Sequence, residues 1–168
     1  MNLLFIGDVV GQSGCDFLES RMYKLKREYD IDVTVVNGEN SAQGNGITPQ
    51  SYRQLLNMGA DVEELYDTNE QLLRPANYPE GVMGHGVTYI DMCPYKIAVV
   101  NLMGTMYMEA VENPFNYVDK LLESIDTPNI IVDFHAEATS EKKAMGFYLQ
   151  KRCTAVLGTH THVQTADE

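Results

Sequence analysis

The chain has 168 residues, of which 44% are apolar, and this suits one globular domain with a sizeable core. Its formal net charge of −12 argues against a broad electrostatic surface for nucleic acid. A phosphate-containing substrate is still compatible with this charge, because bound cations can reverse the local field.

The first half of the chain alternates apolar runs with helical patterns. The runs Leu3–Ile6 and Val33–Val36 predict two buried strands. Between them, a helix is predicted to begin with Ser13 as its cap. The side chains expected on the buried face of this helix are Phe17, Leu18, Met22, Leu25 and Tyr29. A second helix is predicted to begin at Thr48–Pro49, with the threonine as its cap, and to end at Gly59.

The second half contains further strands separated by two helical patterns. The predicted strands are Gly86–Asp91, Lys96–Leu102, Ile130–Phe134 and Ala155–Leu157. One helix is predicted to begin at Asn113–Pro114, and another at Thr139 or Ser140 that reaches about Arg152. Strands that alternate with helices predict an α/β layered domain spanning residues 1–168.

Cysteine usage and the apolar runs indicate the compartment. Cys15, Cys93 and Cys153 are odd in number and form no CxxC pair, which predicts a reducing compartment without a disulfide framework. The first residues lack the pattern of a signal peptide, and no apolar run is long enough to span a bilayer. We therefore expect a cytoplasmic protein without a membrane partner.

Four of the apolar runs end in residue types that bind metal ions. These residues are Asp8, Glu39, Asn40, Asp133, His135, His160 and His162. Ligands collect at the carboxyl ends of the strands in layered α/β sheets, so these side chains are expected to meet at one edge. A mixed set of nitrogen and oxygen ligands suits Mn, Fe or Zn rather than Ca alone.

Each of these residues also has a simpler explanation when it is considered alone. An aspartate after a strand is commonly a turn or cap residue, and a lone histidine can be a core residue bonded to backbone. His160 and His162 alternate on an extended segment, so they reach one site only if the chain turns, and Gly158 is expected to supply that turn. The combined pattern favours a metal site.

Five motifs strengthen this interpretation. They are Phe5–Gly11, Asn37–Asn40, Arg74–Pro79, Asp133–Thr139 and Gly158–Gln164. In this order, over essentially the whole chain, they resemble the YmdB-like branch of the calcineurin-like metallophosphoesterases. The resemblance implies a layered metallophosphoesterase-like fold, with β-sheets flanked by helices. It also implies a phosphodiesterase with two divalent metal ions whose substrates include 2',3'-cyclic nucleotides.

The resemblance also assigns the ligands of the two ions. The implied ligands are Asp8, Glu39, Asn40 and His162 for one ion and Glu39, His135 and His160 for the other. Glu39 would therefore bridge the ions, which would be Mn, Fe or Zn. Two ions about 3.5–4 Å apart would clamp a phosphate and lower the pKa of a bridging water, so that its hydroxide attacks phosphorus.

Three further residues are expected near the site. Asp133 and Glu137 could each orient His135 through its other ring nitrogen. The alternatives are that Asp133 faces a neighbouring helix and that Glu137 caps the next helix. Asn77 is expected to line the substrate cleft, and this expectation rests on the resemblance.

The sequence departs from the family pattern at two places. A Gly-Asn-His motif, whose histidine is the expected acid for the leaving group, should follow Gly59–Val62, but Glu63 comes at once. A dozen or more residues are therefore expected to be missing at the junction of Val62 and Glu63. Further strands are expected beyond Asp167–Glu168, and we favour a longer natural chain over a true deletion. The catalytic acid is unassigned, and low hydrolytic activity is predicted for these 168 residues.

Two other functional classes stay open. One is a non-catalytic module of the same fold that binds metal or nucleotide, and the other is a structural α/β domain with chance histidines. An exposed sheet edge would also favour pairing with a second copy, as a homo-oligomer.

Overall fold

The computed structural model describes residues 1–43, 46–63 and 71–163, and at residues 62–63 it describes the backbone alone. The chain divides into two compact units, Met1–Leu73 and Arg74–Glu168. Each unit contains a β-sheet flanked by helices, which confirms the predicted α/β class. A single domain spanning all 168 residues stays a prediction. In the described part of the chain, no helix is both long and apolar enough to cross a membrane.

The first unit is built on a parallel sheet of three strands in the order β1-β2-β3. Its elements are β1 (Leu3–Ile6), α1 (Gly11–Glu28), β2 (Val33–Val36), α2 (Pro49–Asn57) and β3 (Val62–Glu63). The two predicted strands therefore have the expected bounds. The four residues of β2 are buried as predicted, whereas those of β1 are half-buried.

Helix α1 begins earlier than predicted. Its N-cap is Val10, which has no side-chain capping bond, so the prediction that Ser13 caps the helix is wrong. The chain enters the helix through Gly11, whose φ is +63° and whose N–H donates to the Asn40 carbonyl. A contact with the loop after β2, rather than a local cap, therefore defines this helix start.

The buried stripe of α1 is narrower than the predicted one. Cys15, Leu18 and Met22 are its buried residues. Phe17 is 65% exposed and Tyr29 is 59% exposed, so their predicted burial is wrong. The three buried positions lie at helical spacing on one face and join the core of the first unit.

Helix α2 follows its local sequence signals. Thr48 caps it by accepting a hydrogen bond from the Ser51 N–H, and Ser51 accepts one from the Thr48 N–H in return. Pro49 occupies the first turn, where its missing N–H costs nothing. Gly59 follows the helix end with a φ of +100°, the left-handed conformation that glycine adopts readily. The prediction of this helix is confirmed.

The second unit is built on a sheet of four strands in the order β4-β5-β6-β7. Its elements are β4 (Val87–Asp91), β5 (Lys96–Met103), α3 (Pro114–Ser124), β6 (Ile130–Ala136), α4 (Thr139–Leu149) and β7 (Ala155–His160). Strand β4 is antiparallel to β5, while β5, β6 and β7 are mutually parallel. Helix α4 ends three residues before the predicted Arg152. All seven residues of β6 are buried, including Asp133 and His135.

The register of the parallel strands positions the candidate site. Met103 pairs with His135, and Ala136 pairs with His160. The carboxyl ends of β5, β6 and β7 therefore lie side by side. Strand β6 continues two residues beyond its predicted end, so His135 lies inside the strand and is held by both neighbours.

Candidate metal centre

The first unit brings together three of its predicted metal ligands. Asp8 follows β1, and Glu39 and Asn40 follow β2 in the parallel sheet. The Asn40 side-chain amide donates to Asp8 Oδ1 at 2.8 Å and to Glu39 Oε1 at 3.2 Å. All three side chains are half-buried. The amide thus holds two carboxylates close together, and carboxylate oxygens are suitable ligands for a divalent cation.

Backbone contacts support this acidic group. The Val9 N–H donates to the Asn37 carbonyl at 2.9 Å, and the Gly11 N–H donates to the Asn40 carbonyl at the same distance. The loop after β1 is therefore tied to the loop after β2 at two points that directly follow Asp8. Because the backbone is held in this way, the two loops do not have to be ordered when a cation binds.

The second unit brings together His135 and His160. Their rings meet edge to face, with centroids 4.6 Å apart and an interplanar angle of 70°. A ring nitrogen of each lies within 4.8 Å of the other, which makes the two histidines candidate ligands of one metal ion. His135 is 2% exposed, whereas the side chain of His160 is 33% exposed. The pair therefore has a buried member and a member open to solvent.

A buried hydrogen-bonded chain sets the tautomer of His135. The Thr159 hydroxyl donates to Asp133 Oδ1 at 2.9 Å and lies 3.1 Å from His135 Nδ1. A hydroxyl has one proton to donate, and Thr159 already donates it in the hydrogen bond to Asp133. His135 Nδ1 must therefore be the donor in its hydrogen bond with Thr159 Oγ1. The Nε2 of the neutral ring is then unprotonated and able to bind a metal ion.

Asp133 is the carboxylate end of this chain. It also accepts a bond at 3.3 Å from Asn101, its register partner on β5. Thr159 is likewise the register partner of His135 on β7. Asp133 thus contacts neighbouring strands rather than a helix, and it acts on His135 through the Thr159 hydroxyl.

Glu137 contacts a different histidine from the one expected. Its Oε2 lies 2.8 Å from His160 Nε2, so it orients His160 rather than His135. It does not cap the next helix either, because the N-cap of α4 is Ala138, without a side-chain capping bond. With Nε2 donating to Glu137, the Nδ1 of a neutral His160 is the nitrogen that can bind a metal ion.

The turn that carries the last two histidines lies at the histidines themselves. His160 has a φ of +89° and His162 a φ of +52°, in the left-handed region that non-glycine residues rarely adopt. Gly158 lies inside β7 and is not among the residues with a positive φ, so its predicted role as the turn is wrong. His162 is exposed and follows the His160 position by two residues. Strained backbone of this kind is concentrated at functional sites.

Asn77 is a scaffold residue in this structure. It is 0% exposed, and its amide donates to the carbonyls of Met103 and Glu112 at 2.8 Å each. Its side-chain oxygen accepts from the Met103 N–H at 2.9 Å. Asn77 thus ties the end of β5 to a later loop, and its place in a substrate cleft stays a prediction.

Two functional residues were missed by sequence reasoning. Thr159 lies within a motif that was noted for its histidines alone, although its register with His135 follows from parallel pairing of the strands. Lys142 on α4 donates to the Thr159 carbonyl at 3.1 Å and to the Thr161 hydroxyl. Burial lowers the pKa of this lysine, and the Glu137 carboxylate opposes the shift. No local signal in the sequence distinguishes Lys142 from a surface lysine.

The expected gap in the chain falls at the margin of the described residues. The backbone of β3 includes Val62 and Glu63, and the residues numbered 64–70 lie outside the described part. The prediction of missing residues at this junction is therefore not tested by the structure.

Comparison with known proteins identifies relatives of the chain. The family model described as YmdB-like protein matches residues 4–168. A 2',3'-cyclic-nucleotide 2'-phosphodiesterase of Bacillus subtilis is 44% identical over 182 aligned positions, which cover 99% of this chain and 69% of that protein. The alignment is longer than the chain, so the relative contains residues without a counterpart here.

Two solved structures are also similar to this chain. The crystal structure of a hypothetical protein from Thermus thermophilus matches with a TM-score of 0.91 and 37% identity, over 99% of this chain and 70% of that chain. The crystal structure of a novel phosphatase from Mycoplasma pneumoniae matches with a TM-score of 0.91 and 31% identity, over 98% of this chain and 66% of that one. The chain thus spans about two thirds of the length of its relatives. With a family model that matches almost every residue and a relative of this identity, the chain belongs to the YmdB-like protein family.

Proposed function

We propose that this chain is a metal-dependent phosphodiesterase that hydrolyses small phosphodiesters, with 2',3'-cyclic nucleotides as the substrate class. The observation that carries the proposal is the pair His135 and His160, each connected to a carboxylate that leaves one ring nitrogen for a metal ion. The substrate class follows from the 44% identical relative, a 2',3'-cyclic-nucleotide 2'-phosphodiesterase.

The ligand atoms of the acidic side chains and of the two histidines fit a divalent transition metal. Neutral imidazole nitrogens and carboxylate oxygens together suit Mn, Fe or Zn. The family resemblance supports two ions, with Glu39 shared between them. The proposed ligands are Asp8, Glu39, Asn40 and His162 for one ion and Glu39, His135 and His160 for the other.

The side chains around the ligands have separate tasks. Thr159 and Asp133 hold His135 in the tautomer that offers Nε2, and Glu137 does the same for Nδ1 of His160. Asn40 keeps the carboxylates of Asp8 and Glu39 in place. Bound cations would supply the positive charge that stabilises the additional negative charge on phosphate in the transition state.

The proton donor for the leaving group is unassigned. The family resemblance implies a Gly-Asn-His motif whose histidine would be this acid, and the motif is not in the sequence. General acid catalysis contributes about 10²–10⁴-fold in enzymes. We therefore expect the 168-residue chain to turn over its substrate more slowly than its Bacillus subtilis relative.

A hydrolysis assay with a matched histidine control tests this function. The chain would be purified without chelator, its metal content measured by mass spectrometry, and its action on 2',3'-cyclic AMP followed by chromatography. We expect bound transition metal and a slow, EDTA-sensitive hydrolysis that His160→Ala abolishes. His85→Ala, a change to a histidine outside the proposed ligand set, should leave both intact. Equal hydrolysis with and without EDTA would contradict the proposal.

A non-catalytic binding module is the second candidate. The observation in its favour is the missing Gly-Asn-His motif, because binding does not require an acid for the leaving group. The same preparation separates the two functions: calorimetric binding of metal and nucleotide without any product favours the module. The cytoplasmic location and the homo-oligomer stay predictions.

A further inference from the structure

One lysine holds the chain on both sides of His160. Lys142 projects from the first turn of α4, and its Nζ donates to the Thr159 carbonyl at 3.1 Å and to the Thr161 hydroxyl. These two acceptors belong to the residues directly before and after His160. A single ammonium group therefore connects both ends of the segment that presents this imidazole.

Gly158 provides the space that this lysine needs. A Cβ atom placed on Gly158 would lie 2.7 Å from Cδ and 3.4 Å from Cγ of Lys142. The aliphatic part of the lysine thus crosses β7 directly over the glycine. This close approach is the reason why a glycine is needed at position 158, because Gly158 is not among the residues with a left-handed backbone.

The segment held by Lys142 has a strained backbone. His160 and His162 both have positive φ values, and such conformations persist only where the surrounding structure enforces them. Glu137 holds the His160 ring from one side, at 2.8 Å, and this contact acts on the imidazole. The two bonds from Lys142 act on the turn itself, on its backbone and on the Thr161 side chain between the two histidines.

We propose that Lys142 is a positioning residue that holds His160 and His162 in their metal-binding turn before a metal ion arrives. This inference rests on the proposed function, because it assumes that the histidines bind metal. Without the lysine, the segment relaxes from its left-handed conformation, and metal binding then has to restore it. The consequence is a weaker metal affinity in a chain that is otherwise folded.

Titration with a metal ion alone tests the role of Lys142. Chelator-stripped full chain would be titrated with Mn²⁺ by isothermal calorimetry, for the wild type, Lys142→Met and Lys120→Met. Lys120 is an exposed lysine of α3 in the same unit, so its replacement removes the same charge. Lys142→Met should weaken Mn²⁺ binding by about 10-fold or more, as changes to residues that orient ligands do. Lys120→Met should bind as the wild type does, and an unchanged affinity in Lys142→Met overturns the proposal.

A second pair of variants separates positioning from folding. Thr161→Val removes the hydroxyl that Lys142 contacts but keeps the size of the side chain, whereas Thr161→Ser keeps the hydroxyl. Thr161→Val should lose Mn²⁺ affinity while its thermal midpoint without metal stays close to that of Thr161→Ser. Rescue of the affinity by serine is a result that a purely structural role does not give. Equal affinities in the valine and serine variants overturn the proposal, even if Lys142→Met fails to fold.

Failure of the lysine's positioning role and failure of the function give different results. A wild-type chain that binds no Mn²⁺ and produces no hydrolysis contradicts the metal-dependent function, and the positioning role falls with it. A chain that binds Mn²⁺ equally well with and without Lys142 contradicts the positioning role alone.

Discussion

The tautomer of His135 depends on one proton of a neighbouring hydroxyl. The Thr159 hydroxyl uses that proton in its hydrogen bond to the buried Asp133. The imidazole must therefore donate from Nδ1 to Thr159, which leaves Nε2 available for a metal ion. The three side chains are nearly inaccessible to water, which cannot replace the missing partner if one is removed. Thr159 is therefore the residue through which Asp133 acts on the metal site.

Replacement of Thr159 by valine should affect stability and metal binding together. Valine keeps the shape of threonine but leaves Asp133 and His135 without this hydroxyl, at a cost of about 1–3 kcal/mol in the free energy of unfolding. Metal affinity should fall by about 10–100-fold. Urea unfolding and Mn²⁺ calorimetry measure the two effects. Thr159→Ser, which keeps the hydroxyl, is the control, and equal metal affinity in the two variants would refute the tautomer argument.

Among the elements, α4 organises the loop that follows β5. Glu141 in its first turn is buried and accepts from the Thr105 N–H at 2.8 Å, the Thr105 hydroxyl at 3.0 Å and the Met106 N–H at 3.2 Å. Gly104 precedes this loop, and its N–H donates to the carbonyl of His135. A Cβ on Gly104 would lie 2.5 Å from Glu141 Oε2, so the backbone and the carboxylate are in close contact. The helix thus anchors the loop beside the histidine strand.

The change Glu141→Gln should loosen this loop. The buried glutamine would present its NH₂ group to groups of Thr105 and Met106 that now donate to the carboxylate. Two donors would then face each other, and a buried donor without a partner costs about 1–3 kcal/mol. The free energy of unfolding should fall by that order, and amide hydrogen exchange should accelerate at Thr105 and Met106. Glu123→Gln, an exposed position near the end of α3, is the matched control. Unchanged exchange at the loop would show that Glu141 does not anchor it.

For the whole molecule, metal binding and folding should be linked. A ligand that binds the folded chain alone raises the free energy of unfolding, by about 2.7 kcal/mol at a concentration 100 times its Kd. For a chain of this size, that corresponds to a rise in Tm of roughly 5–10 °C. Differential scanning calorimetry with increasing Mn²⁺ measures the rise. His160→Ala should remove it and His85→Ala should retain it, while a rise that is equal in both variants would exclude His160 as a ligand.

Local chemistry was sufficient to predict several elements. The strands β1 and β2 have the predicted bounds, because each is a short run that favours a strand: β1 is apolar throughout and β2 is β-branched throughout. Thr48 and Pro49 begin α2 through bonds that span three residues. The motifs that resemble the YmdB-like family are also contiguous, and each is recognisable without the rest of the fold.

Contacts between residues distant in the chain were beyond such local signals. The start of α1 depends on a hydrogen bond to the Asn40 carbonyl. The exposure of Phe17 depends on how the helix faces the sheet. The contact of Glu137 with His160 depends on the turn in the chain at His160. Gly158 was expected to turn the chain, but it makes room for Lys142. Each of these outcomes depends on strand register and helix packing, which arise from the cooperative burial of many side chains. Patterns within a few residues cannot encode that information.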